Sequence, residues 1–133
     1  MKLLALIVTL ALFSSSFALL DGYTKITDPT AIAQLSDVLE NAAKTSLLLA
    51  RNDPFSTIAP GYYTLEYLNE FGFVDDDAGT FYEVVAQVAD VYDRTNIIGT
   101  IDCVLFKYKE DGSFMFMSYN IKDAAGNILS AST

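Results

Sequence analysis

FGFVDDDAGTFYEV, residues 71–84, decides how this chain is read. Two stretches rich in aromatic and β-branched residues flank three consecutive aspartates, Asp75, Asp76 and Asp77, followed by Ala78, Gly79 and Thr80. Two strand-like runs joined by a short polar segment with a glycine make a β-hairpin. Three adjacent carboxylates repel one another, so the tip belongs in solvent. It reads either as a solvated loop whose charge resists edge pairing or as a loop whose carboxylates meet a partner. A calcium loop fits poorly: the spacing is not that of an EF-hand, and Ala86 stands where the late bidentate glutamate would be.

Outward from the hairpin, the pattern remains strand-like on both sides. Residues 62–74 are aromatic and roughly alternating. Residues 80–92 set Phe81, Glu83, Val85 and Gln87 against Tyr82, Val84, Ala86 and Val88. Both faces are partly apolar; one is expected to meet a helix and the other to be moderately exposed. Residues 93–96 form a turn, and 97–108 a further strand. Lys109, Glu110, Asp111 and Gly112 carry the Asp-Gly pair of a tight hairpin, and 113–121 return as the last strand. The tail, 122–133, is small and polar and is expected to be loose at its end.

Towards the N-terminus, residues 55–61 form a connector with Pro60 and Gly61. Before it lies a long helix. Asp28 and Pro29 supply an N-cap and a proline at the first helical position. Ile32, Leu35, Leu39, Ala42, Ser46 and Leu49 then recur at three- and four-residue steps, with Leu47 and Leu48 widening the stripe. Asn52, Asp53 and Pro54 end it, because the residue before a proline disfavours the helical region. The helix has about five to six turns. Residues 21–26 form a short extended segment ahead of it. The expected fold is therefore α+β: one long helix packed across a curved antiparallel sheet, in the order β-α-β-β-β-β.

With 133 residues, 52% of them hydrophobic, the chain can build one domain with a real core. Residues 1–18 are read as a signal peptide, leaving 19–133 as the single domain. Lys2 precedes an apolar run from Leu3 to Phe13, and Ser16-Phe17-Ala18 fits a small-x-small cleavage site. The run is too short to span a bilayer; the alternative reading is an N-terminal anchor. The expected location is secreted, or the lumen of the endomembrane or lysosomal system, with no membrane attachment after cleavage.

The formal charge of −9 becomes more negative once Lys2 is removed. Such a domain is repelled by nucleic acid and by anionic membranes. The chain contains no histidine, which removes Ser-His and Cys-His catalytic pairs and histidine metal sites. No phosphate-binding glycine loop is present, so no cofactor or metal is expected. An enzyme working with carboxylates alone, as in glycoside hydrolysis, is chemically open, but nothing in the sequence picks out the pair, and the expectation is that the protein is not an enzyme. Cys103 is the single cysteine. It excludes an internal disulfide, and in its apolar strand it reads as a small buried hydrophobe rather than a reactive thiol.

The order strand, helix, four strands resembles the cystatin fold, and short segments extend the resemblance over residues 22–123. Gly22-Tyr23-Thr24-Lys25-Ile26 looks like the N-terminal segment of many cystatins. Ala78-Gly79-Thr80-Phe81-Tyr82 is similar to the end of the first hairpin loop, where a Gln-Val-Val-Ala-Gly motif runs into an aromatic strand. Val104-Leu105-Phe106-Lys107 and Ser118-Tyr119-Asn120 resemble the late strands of stefins. The resemblance implies inhibition of papain-like cysteine proteases by a wedge that occludes the active-site cleft. Its parts would be Gly22 and Tyr23, then Asp75, Asp76, Asp77, Ala78 and Gly79, then Tyr108, Lys109, Glu110, Asp111 and Gly112. The chain departs from the pattern at both loops: aspartates stand where the family carries Gln-Val-Val, and residues 108–112 lack the family's Leu-Pro or Pro-Trp. The other reading is a non-inhibitory binding or structural module on the same fold. Either would be a monomer or a domain-swapped dimer.

Overall fold

The computed structural model describes residues 19–52 and 63–132. Strand β1 (Thr24–Lys25) precedes helix α1 (Pro29–Asn52). Five strands follow: β2 (Tyr63–Asp76), β3 (Gly79–Asp90), β4 (Ile97–Tyr108), β5 (Phe114–Lys122) and β6 (Ile128–Ala131). They form one six-stranded antiparallel sheet in the order β1-β2-β3-β4-β5-β6, with α1 packed on one face. The α+β class is as expected, with one correction. The tail, read as loose, forms β6 beside β5, pairing Asn120 with Ala131 and Ile121 with Ser130. Its anchor is distant in sequence: the Tyr119 and Ser130 hydroxyls lie 3.0 Å apart, both residues buried. The signal-peptide reading of 1–18 and the connector at 55–61 lie outside the described residues.

Asp28 caps α1 as expected. Its carboxylate accepts the Thr30 N–H at 3.2 Å, and its carbonyl accepts the Ile32 N–H at 3.0 Å, satisfying donors that have no partner within the helix. The buried face runs through Leu39, Ala42, Ala43, Ser46, Leu47 and Ala50. Leu48 and Leu49, counted in the expected stripe, are exposed. The contact line instead follows the alanines, whose short side chains let the helix lie close to the sheet.

The sheet supplies Phe71, Val84, Ala86, Val88, Ile101, Cys103, Leu105, Tyr119 and Ile121 to this core. Register explains the selection. Val84 pairs with Cys103, and Ala86 with Ile101, so every second residue points at the helix. Cys103 is fully buried, and burial pushes its thiol up to about 12, so it is a packing residue and not a nucleophile.

The opposite face is not moderately exposed as expected. Glu83, Val85 and Ala89 on β3 are sequestered from solvent, and Gln87, Val104 and Phe106 nearly so. Part of the reason is local. Leu19 and Leu20 lie over this outer face at Gly72 and Glu83, where a Cβ on residue 72 would stand 2.8 Å from Leu19 Cδ1.

Candidate functional site

Two features stand out: the sheet end carrying the β2–β3 and β4–β5 turns, and a carboxyl pair buried on the outer face.

At the sheet end, Asp76 pairs with Gly79 across a two-residue turn. The aspartates do not simply repel one another into solvent. Asp75 accepts the Thr80 hydroxyl at 2.9 Å, and Asp76 accepts the Ala78 N–H at 3.3 Å. In the second turn, the Asp111 carboxylate accepts both the N–H (3.0 Å) and the hydroxyl (2.7 Å) of Ser113, and the Tyr108 N–H donates to the Ser113 carbonyl at 2.8 Å. These donors hold the Asp111 carboxyl below its usual value. Gly112 N–H closes the turn onto the Tyr108 carbonyl at 2.9 Å.

The two turns are joined: Lys109 N–H donates to the Ala78 carbonyl at 3.0 Å. Asp75, Asp76, Asp77, Ala78, Tyr108, Lys109, Glu110, Asp111 and Gly112 are all exposed on this edge. Gly79 is buried, and a Cβ there would collide with the Lys107 carbonyl and come within 2.8 Å of the Phe106 ring. It serves the β3–β4 approach. Behind the edge, Phe81 and Phe106 meet tilted at a centroid distance of 4.7 Å, and Phe106 and Tyr108 meet edge-to-face at 5.0 Å, an aromatic backing for both turns.

The third expected segment follows a different course. Gly22 is exposed with φ +88°, in a turn closed by Tyr23 N–H to the Leu20 carbonyl at 3.2 Å. Tyr23 leads into β1, where Thr24 pairs with Phe73. The turn sends residues 19–20 back across the outer face rather than forward along the acidic edge.

They end on the buried pair. Glu83 pairs with Val104, and Val85 with Asp102, so the two acids sit diagonally on adjacent strands and on one face. Both oxygens of the Glu83 carboxyl accept the Leu20 N–H, at 2.9 and 3.1 Å. Asp102 Oδ1 is buried without a partner. Burial raises the Glu83 carboxyl, and the adjoining Asp102 raises it further. Asp102 is raised by burial, opposed by its hydrogen bond to Glu83 and by Lys122. Tyr23 is pushed up by burial and then by the two acids. A protonated carboxyl can bridge the pair.

The sequence reading did not select these residues. The available signal was an acid within an apolar alternation: Glu83 between Phe81 and Val85, and Asp102 between Ile101 and Cys103. Among the described residues, no group of three or more side chains is placed to hold a metal, and no helix is long and apolar enough to cross a membrane. No protein-family model matches the chain, and no curated protein matches it.

Proposed function

We propose that the protein is a cystatin-like binding protein that acts by occlusion, closing the cleft of a papain-like cysteine protease without chemistry of its own. The Lys109 to Ala78 hydrogen bond carries this reading. It ties residues 75–79 to residues 108–112 in one preformed edge, and a preformed edge loses less conformational freedom on binding. The antiparallel meander with its single helix supports the same family resemblance. The edge carries five carboxylates against Lys109 alone, so the matching cleft is rimmed by cations.

A second reading is favoured by one observation. The turn at residues 20–23 directs the N-terminal residues onto Glu83 and away from the edge, which suits a module that keeps the architecture and binds a different partner.

Titrating the protein against papain at pH 5 and pH 7 separates the two. The inhibitor should act stoichiometrically and competitively, and should weaken when residues through Gly22 are removed. Replacing Asp75, Asp76 and Asp77 by valine restores apolar contact worth roughly 1.5–3 kcal/mol per buried side chain. If only that triple variant inhibits, the placement of the edge is right and the natural partner is another protein. If neither inhibits, the occlusion reading falls.

A further inference from the structure

Glu83 is sequestered from solvent, and its carboxyl receives the Leu20 N–H on both oxygens. Among the described residues, the groups that act on it are Asp102 on β4 and Glu70 on β2, with Tyr23 ahead of β1 beside them; the nearest cation on that side, Lys25 on β1, is taken up by Glu70 at 3.7 Å. Lys122 on β5 faces Asp102, yet Asp102 Oδ1 still has no partner. Buried acids whose charge is only partly offset cost stability. The backbone donor to Glu83 comes from the second residue after the expected cleavage point, and Gly72 leaves room for Leu19 to lie beside it.

We propose that Glu83 and Asp102 form the receptor for the α-ammonium group of the processed chain. The inference rests on removal of residues 1–18 and is independent of the occlusion reading. Hydrolysis of the Ala18–Leu19 peptide bond by the peptidase that removes the leader adds hydroxyl from water to the Ala18 carbonyl carbon and hydrogen to the Leu19 nitrogen. That nitrogen then takes up a proton from solvent. The new cation lies within about one residue's length, ~3.5 Å, of the Leu20 nitrogen, which already touches Glu83. Processing thereby adds a cation on the Glu83 side of the pair, and it locks residues 19–23 onto the outer face.

The test uses the full chain, expressed with its leader and collected after secretion, with its N-terminus read by intact mass. Urea unfolding at pH 7 is then compared before and after selective acetylation of the α-amine, in the natural protein and in Glu83→Gln. The expected product begins at Leu19. Acetylation should lower its folding equilibrium constant by about tenfold or more, equivalent to one pKa unit of coupling, and by less than about twofold in Glu83→Gln. The α-amine should titrate above its ordinary value of about 8. A chain that starts elsewhere than residues 19–20, an acetylation without effect, or an equal effect in both proteins overturns the proposal. If Glu83→Gln does not fold, Asp102→Asn replaces it. In that case an ordinary α-amine titration in the natural protein is by itself sufficient to overturn the proposal.

Discussion

Gly79 shows how a residue that looks like part of a contact loop is held in place by its own sheet. A methyl group there would meet the Lys107 carbonyl and the Phe106 ring. A carbonyl in a paired strand cannot move aside as a side-chain tip can. Gly79→Ala should therefore destabilise the fold by about 1–3 kcal/mol, the usual cost of forcing atoms into a filled space. A lowered urea midpoint would register this. An unchanged midpoint would mean that β3 and β4 can separate at this end, and the joined edge would then not be rigid. Glu83 makes the complementary point. A carboxyl group in a strand is ordinary at the surface, and here the crossing of Leu19 and Leu20 helps to cover it and supplies a specific donor.

At the scale of elements, β6 is the instructive case. Its four residues, Ile128 to Ala131, are too few for local preference alone to make a strand. Pairing with β5 and the buried hydroxyl contact between Tyr119 and Ser130 hold it in place. Ser130→Ala leaves the Tyr119 hydroxyl buried and without that partner, which should cost about 1–3 kcal/mol. Adding Tyr119→Phe should recover much of the loss, because an apolar pair has no unmet donor. Thermal unfolding of the two single variants and the double variant reads this directly. If the double variant is as unstable as the sum of the singles, the hydroxyl pair is not what fastens the strand. Helix α1 behaves more simply: its start is capped by Asp28, and its buried line follows small residues that admit close approach to the sheet.

For the whole molecule, the buried pair sets a pH dependence whose sign is fixed by the direction of the shift. Burial and Asp102 raise Glu83 from 4.5 to about 8. The folded chain then holds a proton that the unfolded chain releases near the ordinary value. This contribution is fully present below about 4.5 and is lost as pH rises through about 8. With the α-amine acetylated, urea midpoints should fall steadily across that window, and Glu83→Gln should flatten the slope. A slope that survives in Glu83→Gln would place the titration on another group. Docking of the free α-ammonium keeps Glu83 ionised, so the unblocked protein should show a shallower fall.

Much of this molecule was determined by sequence alone, wherever the physics is local. Alternation in residues 79–90 and 97–108 follows from the two-residue period of a strand, the second hairpin turn from Asp111 and Gly112 at its tip, and the start of α1 from Asp28 and Pro29. The edge containing residues 75–79 and 108–112 was legible for the same reason, since each turn is specified by its own residues. Only the tertiary structure decided that Lys109 would bond to Ala78 and that residues 20–23 would turn back. It also decided that the tail would become β6 and that Glu83 and Asp102 would share a buried surface. Each of these depends on which distant segment arrives, and the burial of a carboxyl group depends on what covers it rather than on its neighbours in the chain.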